Sequence, residues 1–421
     1  MNRFSRIIPV AGVLSLLCAS GAAHAFDMVN GDWKFSFNGN INVHYIYSDC
    51  ESASSAKAIT TVGGACTGSA SGSSVSNVGN GLLPAAMSFG VGTTQGGYDI
   101  AAHFGLYPGI STNDGGSPNV QQGSPAGTNV ALGTTGLDVR QVYMTFGNKD
   151  IGTFTLGRNF GLFGFDAIIN DMTLPGVGVA GSFSTATPSN TSLGSIGFGY
   201  IYTDTLAQMN YTTPDYAGFN ATLGIFDPIN SLTAPGPAAP KSAPGIHGKL
   251  TYTHAFDKST KLYLSSAFLD QKQKYLIGAT PYSYNGFGID ALAKLDIDAF
   301  EAVAYYYRGS GLGTTGLFFL SDDGLGNKRN SSGYLLQGSY TINKVKLGVN
   351  YGVSRLGYAN DADQSNVPNL LKSNSKVTAG VYYSLTKNLT LLSEISDVDT
   401  KAHNGDSNRS ISGNVGAFLS F

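Results

Sequence analysis

Residues 32–48 alternate without a break. Phe35, Phe37, Gly39, Ile41, Val43, Tyr45 and Tyr47 take one face, and Lys34, Ser36, Asn38, Asn40, Asn42 and His44 the other. A period of two marks a strand with one apolar and one polar side. This one is over twice the length of an ordinary strand. Strands of soluble sandwiches alternate too, but seldom for so long. The length suits lipid on one side and water on the other.

The same pattern recurs along the chain. It predicts strands at 82–95 and 98–107 around Gly96-Gly97, then at 137–146 and 151–159 around Asn148-Lys149-Asp150. Further strands follow at 196–212, 219–226, 246–256, 261–271, 282–295, 300–308, 334–342, 345–357, 376–386, 389–399 and 410–421. With the first, these make about 16, and single-chain bacterial barrels require an even number. Short turns alternate with long Gly-, Ser- and Pro-rich loops at 49–80, 108–135, 228–244 and 309–331. Such loops are uncommon in compact soluble domains. They fit one side of an all-β transmembrane antiparallel barrel.

One stretch breaks the pattern. Residues 157–178 read GRNFGLFGFDAIINDMTLPGVG, with Leu162, Phe163, Phe165, Ile168, Ile169 and Leu174 crowded together. Burying that much apolar surface is worth roughly 25 cal/mol per Å². The loop is therefore expected to fold back into its own barrel, over about 158–180, and to narrow the lumen.

Composition agrees. Charged residues are 12% of 421 and glycines number 56, about half and nearly twice the usual shares. The net charge is −2, so no basic excess points to nucleic acid. Residues 1–25 have the form of a secretory leader: Arg3 and Arg6, an apolar core, and Ala23-His24-Ala25 before Phe26. Beyond it, no apolar run is long enough for a transmembrane helix. The mature part, 26–421, keeps Cys50 and Cys66. An exported chain meets an oxidising compartment, so these two are expected to pair. No metal-ligand spacing and no cofactor motif is present, and no Ser/His/Asp cluster stands out. That argues against an outer-membrane barrel enzyme, and the long strands argue against a soluble adhesin.

The chain ends with Val415, Ala417, Leu419 and Phe421 on one face, and the last residue is aromatic. This resembles the signal read by the barrel-assembly machinery, carried here by Gly416, Leu419 and Phe421. The run Val139-Arg140 through Asp150-Ile151-Gly152-Thr153-Phe154 to Gly157-Arg158-Asn159-Phe160-Gly161 has a family form. So do Phe165-Asp166-Ala167 and Asn170-Asp171-Met172-Thr173-Leu174-Pro175. The chain resembles the general diffusion porins of Gram-negative outer membranes, which are trimeric 16-stranded barrels with an inward third loop.

The resemblance implies a homotrimer among outer-membrane lipids that passes small hydrophilic solutes. It implies a constriction formed by Arg140 and Asp204 on the wall and Asp166 and Asp171 on the loop, with Arg158 at a subunit contact or the loop base. Several wall bases of the family pattern are missing: Asn40, Pro84-Ala85-Ala86 and Asp204 stand about where bases are expected, and Gly176 where a second loop acid is. Little or no anion preference is therefore expected. The alternative is a substrate-selective channel of the same fold, with third-loop aromatics forming a slide. On parity alone, Asp138, Arg140, Val142 and Met144 share one face. Lys249, Asp290, Lys294, Glu301 and Glu394 face the lumen as solvated wall charges, and Arg308 and Arg355 snorkel near a rim.

Overall fold

The computed structural model describes residues 26–51, 57–66, 74–110, 137–181 and 190–421. The leader reading at 1–25 lies outside the described residues. The strands are β1 (Phe26–Asn30), β2 (Trp33–Cys50), β3 (Val75–Gly79), β4 (Ala86–Gln95), β5 (Tyr98–Pro108), β6 (Leu137–Asn148), β7 (Gly152–Phe160), β8 (Thr205–Thr212), β9 (Phe219–Phe226), β10 (Gly245–Ala255), β11 (Thr260–Ile277), β12 (Thr280–Ile297), β13 (Phe300–Ser310), β14 (Asn330–Ile342), β15 (Val345–Leu356), β16 (Leu371–Ser384), β17 (Leu389–Ala402) and β18 (Ser407–Ser420). Two short helices, α1 (Phe165–Asn170) and α2 (Asp361–Asn366), lie in loops.

Successive strands from β4 to β18 pair antiparallel, and β18 closes on β2 from Ser410↔Cys50 to Ser420↔Asn40. β3 and β4 share one place in the wall, because β3 pairs with residues 44–48 of β2 and β4 with residues 33–40. β1 pairs with β2 from Phe26↔Phe37 onward, just below the end of β18. The wall is therefore a closed 16-stranded antiparallel barrel with no free edge. Its closing seam rests on the last residue. Gly39 N–H donates to Phe421 O (2.9 Å), and Phe421 N–H donates to Gly39 O (3.0 Å). Phe37 packs between Phe89 and Phe421 at 5.1 and 5.6 Å. Alternation sends Ile41, Val43 and Tyr45 outward and buries Asn40, Asn42 and His44 inside.

Three sequence expectations change. The strand expected at 82–95 begins only at Ala86, and residues 75–79, expected within the loop at 49–80, form β3, so the wall is interrupted at 80–85. Asn42 stitches the break, accepting from Gly81 N–H (2.8 Å) and donating to Leu83 O (2.7 Å). The strand expected to start at 196 begins at Thr205, and residues 196–204 stay inside the barrel as part of the third loop. Lastly, Asp138 and Arg140 do not share a face with Val142 and Met144. Gly105 pairs with Gln141 and Leu106 with Val139, so Arg140 is the extra residue of a β-bulge. The bulge resets parity. Gln141 and Tyr143 are buried, while Val142 and Met144 are 41% and 50% exposed on the outer face.

Cys50 and Cys66 are disulfide-bonded, with Cα atoms 5.2 Å apart. The bond staples the first loop to the rim. Lys57 N–H donates to Asn408 Oδ1, Ala65 N–H to Thr400 Oγ1, and the Thr315 hydroxyl to Val62 O. The staple closes a loop of 16 residues. Serine at both cysteines is expected to cost about 3 kcal/mol on a chain-entropy argument. A lower thermal midpoint of the folded barrel in detergent, reproduced by reductant on the wild type, checks this.

Candidate functional site: a loop strapped across the lumen

The third loop leaves β7 at Gly161 and returns at Asp204. Gly164 takes φ +76°, and a Cβ there would stand 2.6 Å from Ile201 O. Only glycine accepts both constraints, and α1 starts from this turn.

From there the loop is fastened to one strand after another. On β12, Asp290 accepts from Gly164 N–H (2.7 Å) and from Ala267 N–H (2.8 Å). Asp166 of α1 accepts from Lys249 Nζ on β10 (3.0 Å) and Tyr263 OH on β11 (2.9 Å). Burial alone would push the Asp166 carboxyl up. The Lys249 ammonium and hydrogen bonds from Ser265, Lys249 and Tyr263 outweigh it and hold the group below the usual carboxylate range. On β14, Gln337 accepts from Met172 N–H (3.0 Å) and donates to Asn170 O (2.5 Å).

The tip is held by β17. Glu394 Oε2 accepts from the N–H groups of Val177 and Gly178, both at 2.8 Å. The same carboxylate accepts from Tyr382 OH (2.6 Å) and Asn414 Nδ2 (3.1 Å). Gly176 lets this carboxylate approach: a Cβ there would lie 2.1 Å from Glu394 Oε1 and would have to displace it. Opposite, the break between β3 and β4 supplies backbone donors: Leu82 N–H to Gly176 O (2.7 Å) and Leu83 N–H to Leu174 O (3.1 Å). The interruption in the wall is thus where the loop docks.

Behind these bonds lies an apolar core inside the barrel. Phe163, Leu174, Phe198, Tyr200 and Ile201 of the loop cluster with Leu269, Leu292, Tyr305 and Leu335 of the wall, and with Leu312 and Phe318 of the loop after β13. Phe163 meets Tyr307 edge-on at 6.4 Å, and Tyr200 meets Tyr305 likewise.

The residues expected at a constriction fall into three clusters. Arg140 Nε bonds Asp138 (2.6 Å), its Nη2 donates to Asn190 Oδ1 (3.3 Å), and its guanidinium lies 5.1 Å from the centre of the Tyr107 ring. Asn190, on the returning limb of the loop, covers it and donates to Tyr107 O (3.2 Å). Asp204 joins this cluster electrostatically, with Arg158, Arg140 and Asp138 acting on it. Asp166 pairs with Lys249 as described. Asp171 is elsewhere: Oδ1 accepts from Thr173 N–H (3.0 Å), Thr173 OH (2.8 Å) and Asn350 Nδ2 (3.2 Å), and Oδ2 accepts from Tyr200 OH (2.9 Å). None of the four is more than 9% exposed. Arg158 lies on the outer face opposite Val142 and donates to Thr205 Oγ1 (2.8 Å), at the base of the loop.

Burial raises the Asp204 carboxyl to about 6, against the Thr205 N–H bond and the two arginines. The folded state therefore binds more protons than the unfolded chain between about pH 4 and 6, and stability falls as pH rises through that window. Asp204→Asn is expected to raise stability at pH 8 by about 2–3 kcal/mol and to change little at pH 4. Thermal midpoints at the two pH values check it.

Sequence reasoning put Asp290 and Glu394 on the lumen side but left them to water; both are buried under the loop. It did not find Gln337, Asn190 or the inward loop after β13. A polar inward residue at mid-strand was the available signal, but nothing in its own strand shows which loop backbone will reach it. Asp322 and Asp363, in loops at the same mouth, bond Tyr275 and Arg329. Three of the more accessible lumen bases are paired: Lys34 with Asp27 (2.9 Å), and Lys294 and Lys346 with Glu301 (2.8 and 3.3 Å).

The fold has many solved counterparts. The outer membrane channel DcaP of Acinetobacter baumannii superposes with a TM-score of 0.68 at 12% identity, covering 93% of this chain and 99% of that one. OprB of Pseudomonas putida gives 0.53 at 12% identity, covering 97% and 96%. Salmonella typhi OmpF, solved with daunomycin, gives 0.52 at 13% identity, covering 94% and 100%. At such identities these show the fold alone. The sequence has no match among curated proteins. The family described as Gram-negative porin, however, matches residues 12–403. A closed 16-stranded barrel, a loop strapped across its lumen and a family match over nearly the whole chain converge: this chain belongs to the Gram-negative porins, non-enzymatic channels of the outer membrane.

Proposed function

We propose that the channel is passive, admits small hydrophilic solutes and ions, and has little or no anion preference. The observation that carries this is the pairing of four lumen-side bases. Lys34, Lys249, Lys294 and Lys346 each lie within 3.3 Å of a carboxylate oxygen. Paired charges of opposite sign leave little net field for a passing ion to feel. The loop acids Asp166 and Asp171 serve mainly to fasten the loop, and its wall-bound backbone sets the size of solute that passes. A reversal potential in a salt gradient tests the charge reading, and liposome swelling with sugars of increasing size tests the size limit.

A substrate-selective slide of third-loop aromatics finds less support, because Phe163, Phe198 and Tyr200 are buried in the core. Saturable uptake of one solute class would favour it all the same. The same proposal includes a homotrimer, with Arg158 near a subunit contact, removal of residues 1–25, and barrel assembly directed by Gly416, Leu419 and Phe421. Cross-linking of the native protein into a species of three chains tests the oligomer.

A further inference from the structure

Lys376 is one of the largest fully buried side chains, 1% exposed on the lumen side of β16. Its Nζ makes no hydrogen bond. Burial works against its charge, while two carboxylates favour it, Asp171 of the third loop and Glu394 of β17, neither as a hydrogen-bond partner. Its place in the wall explains the first. Thr378, two residues on and facing the same way, pairs with Asn350, and Asn350 donates to Asp171 Oδ1 at 3.2 Å.

Among the described residues, both carboxylates accept their hydrogen bonds from neutral groups. Asp171 has Thr173, Tyr200 and Asn350; Glu394 has Val177, Gly178, Tyr382 and Asn414. Neutral donors satisfy lone pairs but do not cancel charge. Closing the loop therefore brings a loop anion toward a wall anion in a water-poor space, where like charges repel strongly. Among the described residues, the basic side chain placed between them is Lys376.

We propose that Lys376 is a positioning residue whose ammonium is the shared counter-ion of Asp171 and Glu394, and so fixes how far the third loop closes over the lumen. The proposal rests on the third loop as the constriction and is independent of ion selectivity. Other titratable groups facing this cluster are the Tyr200 and Tyr382 hydroxyls, each bonded to one of the carboxylates. His44 of β2 lies beyond Gly81, where a Cβ would touch both the His44 ring and Gly176 O. β15 contributes only the neutral Asn350 and Ser354.

The test is single-channel conductance of K376M from pH 4 to pH 8 against wild type. Methionine keeps the length and removes the charge. At pH 8 its conductance should differ from wild type by about twofold or more, and the difference should vanish as acid protonates the carboxylates. K376M/E394Q removes one charge of each sign and should show a conductance that no longer varies with pH. A K376M conductance equal to wild type at every pH overturns the proposal. So does one altered by the same factor at every pH, which would mean lost packing. If K376M fails to fold, a folded double variant supports the charge role, and a double variant that also fails overturns it. A wild type without a conducting step would instead defeat the channel reading itself.

Discussion

Glu394→Ala is expected to release the tip of the third loop and at least double the single-channel conductance. The carboxylate accepts from Val177 N–H, Gly178 N–H, Tyr382 OH and Asn414 Nδ2, and it is 3% exposed. Alanine leaves four donors facing the gap. Breaking a buried charged acceptor costs about 3–5 kcal/mol, mostly from groups left unpaired. The loop can lower that cost by moving its backbone into water, which means away from β17. Larger and noisier current steps should follow, with a lower thermal midpoint. Unchanged steps from a folded variant would show that the dock at Leu82 and Leu83 holds the loop without Glu394.

Arg329→Ala should act on the outer mouth with a similar energy. Arg329 Nε and Nη2 bond both oxygens of Asp363, at 2.8 and 2.6 Å, with side-chain exposures of 5% and 1%. The pair joins the loop after β13 to α2, where Asn360 caps the helix by accepting from Asp363 N–H (2.9 Å). Alanine strands a buried carboxylate, at about 3–5 kcal/mol. Asp363 also gives the link a pH dependence. Burial pushes its carboxyl up, but Arg329 and the Ala359 N–H hold it below the usual range. A group depressed in the folded state stabilises above its unfolded pKa, and that stability drains as pH falls through the folded value. The wild-type mouth should loosen below about pH 4, and Arg329→Ala should remove that dependence. Amide exchange in residues 311–329 and 357–370 reads both effects. Equal protection in wild type and variant at neutral pH would contradict them.

The barrel was legible because lipid outside and water inside write a period of two into nearly every strand. Reading failed where the lumen stops being wet. Residues 196–204 alternate Ile, Phe and Tyr with glycine as a strand does, yet they pack in the core inside the barrel, with Gly197 and Gly199 at φ +78° and +141°. Alternation reports one buried face and does not say what covers it. The bulge at Arg140 moved Val142 and Met144 to the other side, since one extra residue reverses every position after it. The candidate acids were located but not their partners. Asp166 meets Lys249 across 83 residues, and Val177 meets Glu394 across 217. Contacts that distant in the chain are set by closure of the barrel and leave no local trace.

The most direct measurement is the reversal potential of single channels of the purified protein in a planar bilayer under a tenfold potassium chloride gradient. A passive pore with paired lumen charges gives clear current steps that reverse near zero. A folded barrel that passes no current, or one that reverses close to the chloride equilibrium potential, would contradict it.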